Sequence, residues 1–226
     1  STYLKSATEI GGDYYDFFLQ DDGTLYIVVG DATGHGLNAG MMVSITKAGL
    51  FGSDFGSPDI TTSRLNQTIK AIDLGTTRMS LNMAKFNKSS FDFTSAGMPP
   101  AYLYHGDTGV VDEILIPGLP LGSMKKASFD LENFRMHSSD ALVLISDGLP
   151  ECSNRDGEML DYEPVLKCIE NNGSKSAEGI KNALVDLGDN WMSGLMNDDD
   201  ITLVVIKKKK WKFKKERIMI RKILLI

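Results

Sequence analysis

Four aspartates of this 226-residue chain stand at the ends of apolar, strand-like segments: Asp13, Asp31, Asp147 and Asp199. Burying a carboxylate beside such a segment is costly unless the carboxylate is paired or holds a cation. Carboxylate oxygens without His or Cys partners suit Mg²⁺ or Mn²⁺. Taken singly, each aspartate is better explained as the cap of a helix or turn. Taken together, the four predict a site for two divalent ions, provided that the fold makes them converge.

The first two of these aspartates flank a predicted β-hairpin. The segments YYDFFL (14–19) and LYIVV (25–29) are typical of strands, and an Asp-Gly turn signal lies between them. If the loop is 21–23, Asp13 lies directly opposite Asp31, with about 5 Å between the two Cβ atoms. Two carboxylates at that distance repel each other unless a cation lies between them. A slip of one residue in register would turn one side chain to the other face.

The other two aspartates adjoin segments from the second half of the chain. Asp147 follows the apolar run ALVLI (141–145), and Asp199 precedes ITLVVI (201–206). If the last strand runs antiparallel to the strands that end near Asp31 and Asp147, its start lies at the same edge as their ends. All four carboxylates would then meet at one rim of the sheets.

Such a cluster indicates hydrolysis of a phosphoester. Two ions roughly 3.5–4 Å apart, joined by a carboxylate and a shared water, activate that water for attack on phosphorus. We assign Asp31 to the bridging position and expect Asp147 to act with it in catalysis. Ala32 and Gly34 keep the following loop slim, so that a backbone carbonyl can approach a metal. His35 in this loop is either a general acid or a structural hydrogen-bonding residue.

The hydrophobic patterns predict an α+β domain. Further strands are expected at 80–87, 90–96, 101–105 and 110–116. Helices are expected from 37 to between 49 and 52, and at 59–72, 163–171 and 175–190. Many hairpins and few β-α-β units favour antiparallel sheets flanked by helices.

The net charge of −6 is unevenly distributed. Residues 207–226 carry ten Lys or Arg and one Glu, a local charge of +9, which leaves −15 for residues 1–206. The acidic body argues against a nucleic-acid partner. We assign residues 1–206 to the domain that holds the site and residues 207–226 to a separate basic tail. The tail is a membrane-surface segment, a helix recognised by a partner, or a non-native or solvated extension.

Other features limit the class of protein. No run of 18 apolar residues is present, so no membrane-spanning helix is expected, and a membrane is not an expected partner of the domain. The chain starts at Ser1 without a signal peptide or an initiator Met, and we expect a domain of a longer, cytoplasmic protein. Cys152 and Cys168 are too few for a disulfide framework or a zinc site, and we expect reduced thiols.

Four separated stretches resemble one known family: EIGGDYYDF (9–17), VVGDATGHGLNAGMM (28–42), ALVLISDGLPE (141–151) and DDDITLVVI (198–206). Their order and spacing are similar to those of the SpoIIE-like bacterial branch of the metal-dependent (type 2C, PPM) serine/threonine protein phosphatases. Two middle stretches match as well, SAGMPPAYLY (95–104) and GLPLG (118–122). The resemblance therefore covers nearly all of residues 5–206.

The resemblance implies an α-β-β-α sandwich of two antiparallel sheets flanked by helices. It implies two Mn²⁺ or Mg²⁺ ions at one end of the sandwich, with the backbone carbonyl of Ala32 as one ligand. The other ligands that it implies are the carboxylates Asp13, Asp31, Asp147 and Asp199. The implied substrate is phosphoserine or phosphothreonine on a small anti-sigma-factor antagonist protein. An upstream sensor or receiver domain in the full-length chain is also implied, and a homodimer is left open.

Two other functions are compatible with these residues. Departures from the family pattern, such as Met98 where many relatives carry His, and the unusual tail allow a catalytically weak scaffold that binds partners. A phosphoesterase for small molecules is the third interpretation, because an acidic metal centre by itself does not select a protein substrate.

Overall fold

The structure, a computed structural model, describes residues 1–209 of the chain. Its strands are β1 (Thr2–Lys5), β2 (Asp13–Leu19), β3 (Leu25–Ala32), β4 (Met79–Phe86), β5 (Ser90–Ala96), β6 (Ala101–Tyr104), β7 (Val111–Ile114), β8 (Glu132–Arg135), β9 (Ala141–Ile145) and β10 (Ile201–Lys207). Its helices are α1 (Leu37–Phe51), α2 (Pro58–Ile72), α3 (Tyr162–Asn172) and α4 (Ala177–Met192). From residue 210 onward, the basic tail lies outside the described residues, and so do the interpretations given for it.

Two antiparallel sheets of five strands each form the centre of the domain. Sheet I has the strand order β1-β10-β9-β6-β7, and sheet II has the order β2-β3-β4-β5-β8. Every neighbouring pair in both sheets is antiparallel. The predicted α+β class with antiparallel sheets is therefore confirmed.

An apolar core lies between the two sheets. Because successive residues of a strand point to opposite faces, Val28 and Val29 of β3 belong to different clusters. Val29 packs between the sheets together with Leu144 of β9 and Val204 of β10. Val28 packs on the other face of sheet II, where it meets Met42 of α1.

Helices cover the outer face of each sheet. α1 and α2 pack on sheet II through residues such as Leu50 and Leu65. α3 and α4 pack on sheet I through Ile169 and Leu184. The layers thus form the α-β-β-α sandwich that the resemblance implies. In the described part of the chain, no helix combines the length and apolar character needed to cross a bilayer.

The structure adds two strands to the predicted set and corrects the bounds of other elements, among them β3 and α4. β1 and β8 are missing from the sequence-based set, because strands of four residues at sheet edges show too little alternation to be recognised. β3 continues to Ala32, so Asp31 lies within the strand and not after it. α4 begins at Ala177 and not at 175, because Ser176 caps it by accepting a hydrogen bond from the amide of Gly179 at 3.1 Å.

Candidate metal centre

The β2–β3 hairpin has the register that the sequence predicts. Asp13 pairs with Asp31, and Leu19 pairs with Leu25 at the turn end of the hairpin. Asp31 lies on the same face of β3 as Val29, which packs between the sheets. Asp13 is only 8% exposed, and Asp31 is partly buried. Two acids therefore face the space between the sheets at one edge of sheet II.

Asp147 and Asp199 come from the adjoining edge of sheet I. Asp147 follows the end of β9, and Asp199 precedes the start of β10. The two strands are antiparallel neighbours, and the amide of Ser146 donates to the carbonyl of Thr202 at 3.0 Å. The predicted antiparallel relation between the last strand and the strand before Asp147 is thus confirmed.

The acids of the two sheets influence one another. The charges of Asp147 and Asp199 contribute, after burial, to raising the pKa of Asp31. The charge of Asp31 in turn contributes, again after burial, to raising the pKa of Asp13. The structure therefore brings all four of these carboxylates to one end of the sandwich, two from each sheet.

Burial is the largest reason why these carboxyls hold protons strongly. It raises the pKa of Asp13 to about 8, that of Asp31 to about 7 and that of Asp147 to about 6. Neighbouring carboxylates add to each shift because like charges disfavour the ionised form. A divalent cation would reverse this effect, since it is the largest local charge wherever it binds. The electrostatics of these clustered acids therefore favour the binding of positive charge.

The donor set fits a hard divalent cation, although the side chains must adjust to bind one. Carboxylate and carbonyl oxygens are the ligands that Mg²⁺ and Mn²⁺ prefer. Within residues 1–209, no group of three or more Asp, Glu, His or Cys side chains is arranged to hold a metal ion as it stands. Some acceptor capacity is already used: Ser146 Oγ donates to Asp13 at 2.7 Å, and the amide of Asp200 donates to Asp199 at 2.8 Å. An ionised carboxylate has about four lone-pair sites, so each retains capacity for a metal.

Ala32, the predicted carbonyl ligand, is buried against the loop that precedes β2. Its amide donates to the carbonyl of Gly12 at 3.0 Å. A Cβ at position 12 would press against the Ala32 carbonyl, so glycine is needed there for space. His35 is exposed in the loop after β3, and its role stays a prediction.

Three further residues near the acids are not predicted from the sequence: Ser146, Glu151 and Asp200. Ser146 donates to the Asp13 carboxylate, and the charge of Glu151 contributes to the pKa shifts of Asp31 and Asp147. Asp200 is 5% exposed and accepts hydrogen bonds from backbone amides. The feature of the sequence that could have identified these residues was their position inside or beside the SDG and DDD motifs. Adjacent acids cannot be told apart by type, because only burial shows which of them faces the site.

The chain matches the family model of Stage II sporulation protein E (SpoIIE) over residues 21–209. It is 29% identical over 213 residues to Phosphoserine phosphatase RsbU of Bacillus subtilis (strain 168). That match covers 90% of this chain, and the chain spans only 61% of the length of RsbU.

Solved structures share the fold at low sequence identity. The SiaA-PP2C domain of Pseudomonas aeruginosa has a TM-score of 0.81 at 18% identity, covering 92% of this chain and 84% of that chain. RsbX in complex with magnesium has a TM-score of 0.69 at 19% identity, covering 90% of this chain and 92% of that chain. Since the family model extends over residues 21–209, which include eight of the ten strands and all four helices described, this chain belongs to the SpoIIE family.

Proposed function

We propose that this chain is a metal-dependent phosphatase that hydrolyses phosphoserine or phosphothreonine in a protein. The observation that carries the proposal is the convergence of Asp13, Asp31, Asp147 and Asp199 at one end of the sandwich. The similarity to RsbU, a phosphoserine phosphatase, supports it, and so does the likeness of the fold to that of RsbX, which binds magnesium.

Each acid has a distinct part in this proposal. The chemistry that two Mn²⁺ or Mg²⁺ ions supply when bound is activation of a bridging water and neutralisation of charge on the phosphoryl oxygens. Asp31 would be the shared ligand of the two ions, because it pairs with Asp13 on its own sheet and the charge of Asp147 from the other sheet acts on it. Asp199 and the Ala32 carbonyl complete the ligand set. Ser146 holds the Asp13 carboxylate by donating to it at 2.7 Å.

The substrate that we propose is a small anti-sigma-factor antagonist protein carrying a phosphorylated Ser or Thr. We also propose that an upstream sensor or receiver domain controls the phosphatase domain, residues 1–206, in a cytoplasmic protein. These finer proposals rest on the four motifs that resemble the SpoIIE-like phosphatases.

The test is hydrolysis of a serine-phosphorylated anti-sigma-factor antagonist by the full chain. We expect turnover with Mn²⁺ or Mg²⁺ and none with excess chelator. Asp147→Asn should lower the rate on the order of 100-fold, because it removes charge that holds the ions. Asp156→Asn is the matched control, since Asp156 is exposed on the turn that follows the same motif. Full activity in chelator or in Asp147→Asn would refute the proposal.

The same assay separates the two other interpretations. Binding of metal without hydrolysis of any phosphoprotein would favour the scaffold, and preference for small phosphoesters would favour a small-molecule enzyme. Met98, one reason for considering a scaffold, is 4% exposed and packs in the core between the sheets. That departure from the family pattern therefore contributes apolar packing.

A further inference from the structure

The carboxylate of Asp200 accepts hydrogen bonds from three backbone amides of a distant part of the chain, within residues 7–13. Its Oδ2 accepts hydrogen bonds from the amides of Gly12 at 2.6 Å and Asp13 at 3.2 Å, and its Oδ1 accepts from the amide of Ala7 at 2.7 Å. Hydrogen bonds to an ionised acceptor are about twice as strong as neutral ones. Asp200 is 5% exposed, so water competes little for these donors.

Two of these hydrogen bonds, those from Gly12 and Asp13, join the two sheets. Asp200 immediately precedes β10 of sheet I, whereas Gly12 and Asp13 lie at the start of β2 of sheet II. Each sheet contributes two of the proposed carboxylate ligands. The Asp200 carboxylate therefore links the two sheets at the place where the two pairs of acids must approach each other.

Two glycines provide the space that Asp200 occupies. A Cβ on Gly11 would collide with the Asp200 carboxylate, and a Cβ on Gly148 would collide with the Asp200 carbonyl. Neither glycine has a positive φ, so the requirement is for space and not for an unusual backbone conformation. The glycines of the GGD and SDG motifs thus make room for one buried residue, Asp200.

A second contact holds the side chain of Asp13 to the same sheet. Ser146 Oγ donates to Asp13 Oδ2 at 2.7 Å and accepts from the amide of Thr202 at 2.8 Å. Asp13 is therefore held through its backbone by Asp200 and through its carboxylate by Ser146, both at the edge of sheet I.

We propose that Asp200 is a positioning residue, which sets the separation between the two pairs of acids without binding a metal itself. This inference rests on the proposed metal centre. The three amides that Asp200 accepts from lie within residues 7–13, so loss of its carboxylate loosens the backbone of this segment and leaves Asp13 held to sheet I through its side chain, by Ser146. Loss of a residue that orients a ligand typically lowers metal affinity about 10- to 100-fold.

The experiment compares Asp200→Asn with Asp198→Asn in the full chain. The Asn side chain keeps the shape of Asp but can accept hydrogen bonds through only one oxygen, and Asp198 is an exposed acid in the same loop. We expect Asp200→Asn to raise the Mn²⁺ dissociation constant, measured by electron paramagnetic resonance, about 10- to 100-fold. Activity should recover at saturating Mn²⁺, and Asp198→Asn should match the unaltered chain.

Hydrogen exchange gives a readout that needs neither metal nor activity. In the metal-free protein, the amides of Gly12 and Asp13 should exchange faster in Asp200→Asn than in the Asp198→Asn control. If Asp200→Asn does not fold, Gly11→Ala presses on the same carboxylate without changing any charge, and it should also weaken Mn²⁺ binding.

The outcomes separate this inference from the proposed function. Unchanged Mn²⁺ affinity in the folded Asp200→Asn and Gly11→Ala proteins, with only a lower melting temperature, would overturn the positioning role. Failure of the unaltered chain to bind Mn²⁺ would overturn the proposed metal centre and the inference with it. Mn²⁺ binding that weakens as expected, without hydrolysis of a phosphoprotein, would support the positioning role and refute the phosphatase.

Discussion

Asp13 and Asp31 are paired directly across the β2–β3 hairpin, so the cross-strand partner of each acid is another acid and not a residue of opposite charge. Like charges opposed on neighbouring strands are destabilising. The charge of Asp31 contributes, after burial, to the raised pKa of Asp13. Such a pair lowers the stability of the metal-free domain, and a bound divalent cation would remove that penalty. The two aspartates therefore favour metal binding but lower the stability of the metal-free domain.

Replacing Asp31 should lower the activity but raise the stability of the metal-free protein. We expect Asp31→Asn to abolish most hydrolysis, with a loss on the order of 100-fold or more, because the proposed bridging carboxylate is gone. The metal-free variant should nevertheless melt at a higher temperature, by about 2–4 °C for each kcal/mol of repulsion removed. Calorimetry and the phosphoprotein assay measure the two effects. Asp21→Asn, in the exposed turn of the same hairpin, should change neither quantity. A less stable Asp31→Asn protein would contradict the argument.

Divalent cations should stabilise the folded domain. A ligand that binds only the folded state stabilises it by about 2.7 kcal/mol at 100 times its dissociation constant. We therefore expect saturating Mn²⁺ to raise the melting temperature by roughly 5–10 °C and chelator to reverse the change. Scanning calorimetry at several Mn²⁺ concentrations checks this. If Asp31→Asn showed the same shift, the ions would be binding elsewhere.

The raised carboxyl pKa values predict how pH affects the metal-free protein. Burial is the main cause that raises the pKa of Asp13 from 3.8 to about 8. Between these values the folded protein holds the proton more tightly than the unfolded chain does. The contribution of Asp13 to the free energy of unfolding therefore falls as pH rises from about 4 to about 8.

Asp13→Asn removes this titration and so tests it. Without metal, the melting temperature of Asp13→Asn minus that of the unaltered chain should increase from about pH 5 to about pH 8.5. Thermal melts across that range measure the difference directly. A difference that is constant or shrinks with pH would show that Asp13 does not carry the expected shift.

Gly148 should tolerate no side chain. A Cβ there would collide with the backbone carbonyl of Asp200, which cannot move without disturbing β10. We expect Gly148→Ala to destabilise the domain by about 1–3 kcal/mol, as overpacking typically does, and to weaken Mn²⁺ binding. Gly56→Ala is the matched control, because a Cβ at Gly56 would meet no atom within 4 Å. Chemical denaturation of both variants measures the difference, and equal stability would disprove the close contact.

The local parts of this protein can be predicted from its sequence alone. Strand alternation and the Asp-Gly turn gave the register that pairs Asp13 with Asp31, because residues close in the chain meet through the hairpin alone. The motif order also identified the family, and the helix and strand patterns predicted the α+β class. β1 and β8 were not predicted, because such short edge strands show little alternation of apolar and polar residues.

The relation between acids of different segments depends on the packing of the whole chain. The sequence could not distinguish Asp199 from Asp200, although one is exposed and the other is 5% exposed and bonded to the amide of Gly12. That bond joins residues 188 positions apart, and it depends on how the apolar inner faces of the two sheets pack together. Contacts of this kind follow from the burial of whole faces, which no local pattern of residues encodes.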